Sequence, residues 1–163
     1  MVKFKWLVVL GSFLVAVQPC FAADRAQLVG AWKLVSWERE IQKSGKRIPF
    51  FGKNPTGSLV FTPEGRVTEI VTAEGRTAPT TEKERAALLN SMVALAGAYR
   101  VEGDRYIRKF DVAWHPARVG IETVGTFRLE GNRLHVIGDC TPSTVPGKSG
   151  TMGRTIATWE RVK

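Results

Sequence analysis

The sequence predicts an all-β fold: an antiparallel up-and-down β-barrel of about eight strands, with one inserted α-helix near residues 80–96. Segments rich in β-branched and aromatic residues recur along the chain, separated mostly by short turns that contain Gly, Pro or Asn. Consecutive hairpins of this kind favour a meander, in which each strand pairs with the next. About eight antiparallel strands can close into a barrel, which removes exposed sheet edges and is wide enough inside for one small molecule.

Residues 1–22 are predicted to be a cleaved signal peptide. Lys3 and Lys5 precede an apolar stretch from Trp6 to Val17, which is shorter than the roughly 20 residues of a membrane-spanning helix. The small residues Cys20 and Ala22 then fit a signal peptidase site after Ala22. We therefore expect a periplasmic or secreted protein in which residues 23–163 form a single domain.

Composition and charge exclude several classes of protein. The chain has 163 residues, of which 44% are hydrophobic, and this proportion is typical of a folded domain rather than a disordered one. Its net charge of +9 at first suggests a nucleic-acid partner. The basic residues are scattered, however, and an exported protein rarely meets nucleic acid. We expect no nucleic-acid binding, but a small acidic ligand or a weak association with an anionic envelope surface.

Cleavage leaves Cys140 as the one cysteine, so no internal disulfide is expected.

The first half of the domain reads as one long strand, a loop and a hairpin. Residues 30–40 are rich in β-forming residues, whereas residues 42–54 are mostly loop and carry the aromatic pair Phe50-Phe51 near a predicted entrance. Residues 57–62 and 66–72 form strands around the turn Pro63-Glu64-Gly65, in which Pro and Gly suit successive turn positions.

Residues 80–96 have the pattern of a helix. A Thr cap precedes acidic residues in the first turn, which complements the helix dipole. Leu88, Met92 and Leu95 share one face at helical spacing, and Gly97 is predicted to end the helix.

The second half returns to strands. The turns Gly103-Asp104 and Gly131-Asn132 each join two strands, and residues 139–153 form a Pro-, Ser- and Gly-rich loop before a closing strand. The predicted strands are 98–102, 105–115, 119–130, 133–137 and 154–161.

An ordered set of segments resembles the lipocalin-like domain family of bacteria and fungi. The segments are Leu28–Glu38, Asn54–Arg66, Gly97–Asp104, Val112–Pro116, Val119-Gly120, Gly131–Leu134 and Thr158–Arg161. The resemblance implies a barrel that binds a small, mostly apolar ligand. It also implies that Gly30 and Trp32 close the floor of the barrel, with Arg161 from the last strand stacked on the indole in a cation–π contact.

Strand alternation suggests which aromatic and aliphatic side chains face the barrel interior. Such a lining favours an apolar ligand, and the alternative is a filled barrel with no cavity. The candidate ligand-binding residues are Phe61, Tyr99, Phe110, Val112, Trp114 and Phe127.

Three functions stay open at this point: a binding protein, an enzyme, and a structural or stress-related envelope protein with a filled barrel. An isomerase, cyclase or hydrolase would use His115, at a strand end, together with a nearby carboxylate. Strand carboxylates such as Glu69 have basic neighbours and are expected to form surface ion pairs. No metal or cofactor is expected, because His135 and Cys140 lack the spacing of metal ligands.

Overall fold

Ten β-strands form one antiparallel sheet in residues 25–143 and 150–163, the part of the chain that the computed structural model describes. The predicted signal peptide lies outside these residues. A helical turn covers residues 25–28, an α-helix covers Glu82–Asn90 and a 3₁₀ helix covers Pro116–Arg118. The strands are β1 Gly30–Ile41, β2 Arg47–Pro49, β3 Thr56–Phe61, β4 Arg66–Thr72, β5 Met92–Glu102, β6 Arg105–Ala113, β7 Glu122–Glu130, β8 Arg133–Gly138, β9 Thr141–Pro142 and β10 Met152–Arg161.

Eight of these strands close into a barrel. Strands β1, β3 to β8 and β10 each pair with the next, and β10 returns to pair with β1, opposing Trp32 to Arg161 and Ile41 to Gly153. The short strands β2 and β9 extend the sheet at the end where β1 finishes and β10 begins. The predicted antiparallel up-and-down barrel of about eight strands is therefore confirmed.

The core lies inside the barrel because alternate side chains of each strand point inward. In β4, for example, Val67, Glu69 and Val71 are buried while the residues between them are exposed. Large aromatic side chains fill one end, where Trp32 and Trp159 are almost fully buried. None of the helices in the described residues is long and apolar enough to cross a membrane.

The inserted helix is shorter than the predicted 80–96. It begins after Thr81, whose side chain and that of Glu84 form a capping box, and it ends at Asn90. Met92 and Leu95 belong instead to β5, so the shared helical face predicted for them with Leu88 was wrong. Pairing with both β4 and β6 over this segment outweighs the helix propensity of its Ala, Leu and Met residues. No residue of the helix is buried, so the helix does not plug the barrel.

Gly97 does not end a helix but lies within β5, at a bulge where β5 and β6 shift register. A Cβ at this position would lie 2.1 Å from the carbonyl oxygen of Lys109 and 2.7 Å from the Cα of Phe110. Both atoms belong to the backbone of a paired strand and cannot move aside cheaply. Only glycine therefore allows the two strands to approach this closely.

The variant Gly97→Ala is accordingly expected to lower the free energy of unfolding by about 1–3 kcal/mol, because the added methyl group overpacks the barrel wall. Urea denaturation followed by circular dichroism would measure the free energy of unfolding of the variant and of the wild-type protein. Gly103→Ala is a poor control because Gly103 has a positive φ, whereas Gly138→Ala places its Cβ no nearer than 3.8 Å to any neighbour. Equal stability of the Gly97 and Gly138 variants would contradict the bulge argument.

Candidate functional site

The barrel contains a partly open cavity of about 240 Å³ at the end opposite its aromatic floor. The direction of β1 shows this arrangement, since Trp32 lies in the floor while Trp37 and Arg39 line the cavity. Every barrel strand except β3 contributes to the wall. The other lining residues are Phe50, Glu69, Val93, Leu95, Tyr106, Arg108, Trp114, Arg118, Ile121, Glu122, Thr123, Val124, Val136, Gly138, Asp139, Thr141, Pro142, Ser143, Thr155 and Ala157.

The floor joins the first and last strands. The guanidinium of Arg161 lies 4.0 Å from the centroid of the Trp32 ring and also donates hydrogen bonds to the backbone carbonyls of Val29 and Gln27. The indole Nε1 of Trp32 donates to the carbonyl of Leu28 at 2.9 Å. Gly30 has a φ of 131°, and a Cβ there would lie 2.8 Å from Nη1 of Arg161. The three residues that the family resemblance assigns to barrel closure thus lie together in the structure.

One part of the cavity wall is apolar. Trp37 packs edge-on against Trp159 at 6.1 Å between ring centroids, and it also contacts Phe51 at 6.4 Å. This packing holds the Trp37 ring at the boundary between core and cavity. The apolar wall consists of Trp37, Phe50, Val93, Leu95, Trp114, Val136 and Ala157. A surface of this composition suits an apolar molecule.

A second part of the wall carries a buried ion pair. Glu69 and Arg108 take inward positions on β4 and β6, on the same face as the buried residues two positions away on each strand. Nη1 of Arg108 donates to Oε2 of Glu69. The Arg108 guanidinium also lies over the Tyr106 ring at 4.8 Å and the Phe110 ring at 5.2 Å. Burial opposes the charge on Arg108, but Tyr106 and Glu69 raise its pKa overall. Burial also raises the pKa of Tyr106 to about 12, so its phenol is neutral at physiological pH.

Two more arginines face this cavity. Burial, and then the like charge of Arg108, lower the pKa of Arg118, which follows from its place beside the ion pair. Arg39 is 6% exposed, and burial lowers its pKa as well. Its Nη2 donates to the backbone carbonyls of Thr141 and Thr151, so Arg39 ties β1 to the segment around β9. Both guanidinium groups stay charged at neutral pH, because arginine does not lose its proton in proteins.

The predicted ligand-binding aromatics divide between cavity and core. Trp114 lines the cavity. Phe61, Tyr99 and Phe110 are buried but lie within the core away from the cavity wall, where Phe61 and Tyr99 pack at 4.8 Å between centroids. Phe127 is partly buried and contacts Tyr106 at 6.5 Å, again outside the cavity wall. For these four residues, a role in ligand binding would be indirect, through the packing of the wall.

The prediction that Val112 faces the interior was wrong, since its side chain is 62% exposed. The cause is the bulge opposite Gly97. Ala96 opposes Val112 and Gly97 opposes Phe110, so Asp111 is an extra residue on β6. An extra residue breaks the alternation of faces, and Val112 consequently points away from the interior that Phe110 faces.

His115 does not line the cavity. It caps the 3₁₀ helix, where its Nδ1 accepts a hydrogen bond from the backbone N–H of Ala117 at 3.3 Å, and its ring contacts Trp114 edge-on. Among the described residues, none of its contacts is with a carboxylate, so the pairing required of a catalytic histidine is not formed. In the same part of the chain, no cluster of three or more His, Cys, Asp or Glu residues could hold a metal ion.

The ion pair and the two further arginines were missed from the sequence. The expectation that Glu69 forms a surface ion pair was wrong, since it is 4% exposed. The sequence could have shown that Glu69 faces inward, because it lies two residues from the apolar Val67 and two from the apolar Val71 on the same strand. No comparable signal marks Arg118, which lies in a connection between strands.

One comparison with known proteins, with the profile of a protein family, agrees with this architecture. The profile of the lipocalin-like domain family matches residues 29–162, while no curated protein matches the sequence. Among solved structures, the chain is similar to one described as the REP1-NXSQ fatty acid transporter, at 11% identity and a TM-score of 0.39, over 85% of this chain and 98% of that one. Because the family profile covers both the floor and the cavity wall, the chain belongs to the lipocalin-like domain family.

Proposed function

We propose that this protein binds a small, mostly apolar molecule inside its barrel. The observation that carries the proposal is the cavity of about 240 Å³ with an aromatic and aliphatic wall. A filled barrel would leave no such space. The volume lies a little below the roughly 300–1,000 Å³ common for ligand pockets. This size favours a small ligand over a long-chain lipid.

The proposal includes export. The basic start, short apolar stretch and small-residue cleavage site of residues 1–22 support passage to the periplasm or the exterior. In those compartments, a barrel with an internal cavity would carry or sequester a small molecule. An enzymatic role has less support, because its candidate residue His115 caps a 3₁₀ helix instead of facing the cavity.

Native mass spectrometry of the protein purified from its own periplasm would test both parts of the proposal. The protein mass is expected to lack residues 1–22, and a small molecule is expected to leave the complex on activation in the gas phase. Val93→Phe should abolish this retention, because Val93 lines the cavity and the larger ring would occupy it.

The matched control is Val112→Phe, which makes the same change on the exposed face of the neighbouring strand and should retain the molecule. Repeatedly empty spectra of the wild-type protein would contradict ligand binding. Equal retention by the Val93 and Val112 variants would place the molecule outside the cavity.

A further inference from the structure

Among the buried and half-buried residues of the cavity wall, Arg39, Arg108 and Arg118 are positively charged and Glu69 is negatively charged. Glu69 is hydrogen-bonded to Arg108, and its carboxylate has the weakest of the influences on the pKa of Arg118, after burial and the charge of Arg108. Within the described residues, Arg118 forms no ion pair, and its buried Nε has no hydrogen-bond partner. Arg39 brings another positive charge, although two backbone carbonyls already accept hydrogen bonds from its Nη2.

The other two acidic residues of the wall do not neutralise Arg118. Glu122 is exposed and accepts two hydrogen bonds from Arg100, at 3.0 and 3.4 Å. Asp139 is exposed as well. The charged groups that shift the pKa of Arg118 are Arg108, which lowers it, and Glu69, which raises it. Arg118 therefore meets one like charge and a carboxylate that another arginine already holds.

A partly buried guanidinium in this situation is costly, because it has lost water without gaining a partner. A bound anion would remove the cost. The planar guanidinium matches a carboxylate, which can accept two of its N–H groups at once. The buried hydroxyl of Thr123, which also lines the cavity and lacks a partner among the described residues, could donate a further hydrogen bond.

We propose that the ligand is a small amphipathic carboxylate whose anionic group binds Arg118 beside the Arg108–Glu69 pair. Its apolar remainder would pack against Trp37, Trp114 and their neighbours. This assignment rests on the proposed binding function and adds the chemical class of the ligand. The other wall arginines are committed to Glu69 and to backbone carbonyls, which makes Arg118 the group that selects for charge.

Octanoate and octan-1-ol, which have equal chain lengths but differ in charge, provide a direct test by isothermal titration calorimetry. Octanoate should bind the wild-type protein about 10- to 100-fold more tightly, as a charge-assisted hydrogen-bonded pair would give. Arg118→Gln should abolish this preference while changing the affinity for octan-1-ol less than about twofold. Arg118→Lys, which keeps the charge but loses the fork of N–H donors, should keep part of the preference.

Arg128→Gln is the charge-matched control, since Arg128 is exposed and pairs with Glu130 on the outer surface. This variant should keep the full preference for octanoate. Thermal unfolding of each variant would show that the barrel remains folded. Tryptophan fluorescence, to which the wall residues Trp37 and Trp114 contribute, would give a second binding signal.

The possible failures separate the two proposals. If octan-1-ol binds as tightly as octanoate and Arg118→Gln changes neither affinity, the barrel binds apolar molecules but the carboxylate assignment is overturned. If neither compound binds, the molecule retained in native mass spectrometry decides: a neutral molecule overturns the assignment and an acidic one supports it. If nothing is retained either, the binding function fails and the assignment fails with it.

Discussion

Replacing Trp32 by Ala is expected to lower the free energy of unfolding by about 3–5 kcal/mol, the largest effect of any single truncation in the barrel floor. The Trp32 side chain is 0% exposed, and the variant would leave a void where β1 meets β3 and β10. It would also remove the hydrogen bond to the Leu28 carbonyl and the contact with the Arg161 guanidinium. Arg161 would lose its aromatic partner but keep its hydrogen bonds to the backbone carbonyls of Val29 and Gln27.

Urea denaturation of three variants would separate the contributions. Trp32→Phe keeps a ring in the floor and should lose less than half as much stability as Trp32→Ala. Val35→Ala, on the same strand but 44% exposed, should cost about 1 kcal/mol or less. A loss below about 1 kcal/mol for Trp32→Ala would mean that the floor does not anchor the barrel.

The fold was largely predictable because strand alternation and turn chemistry are local signals. The hairpin around Pro63 and Gly65, and the turn at Gly131 and Asn132, join strands in the structure as their residue types predict. The segment from Met92 to Ala96 was assigned to the wrong element for an equally physical reason. Its Ala, Leu and Met residues favour a helix, and only pairing with distant strands makes it part of β5.

The cavity was less predictable because its composition depends on which strands meet. Aromatic residues were expected to line it, yet Phe61, Tyr99 and Phe110 pack into the core instead. The bulge that turns Val112 outward arises from the pairing of Gly97 with β6, which strand alternation alone does not show. The charged wall is a tertiary property as well, since Glu69 and Arg108 lie on strands separated by β5.

The Glu69→Leu variant is the second substitution expected to have a large effect, lowering the free energy of unfolding by about 3–5 kcal/mol. Removing one member of a buried ion pair leaves the other charge without compensation. Here Arg108 would stay buried and exposed to the like charge of Arg118, without the carboxylate that now pairs with it. Arg108→Met should also be destabilising, because it leaves the Glu69 carboxylate without its hydrogen-bond donor.

A double-mutant cycle with Glu69→Leu and Arg108→Met would isolate the pair, since both replacements are apolar and introduce no new charge or hydrogen bond. Apolar replacement of a whole buried pair is often neutral or stabilising, so the double variant should be more stable than either single variant. Additive losses would mean that Glu69 and Arg108 contribute independently. A coupling free energy of about 2 kcal/mol or more would show instead that the pair is retained as a unit. If the double variant is also about as stable as the wild-type protein, the pair contributes little to folding, and this result would favour a role for Glu69 and Arg108 in ligand binding.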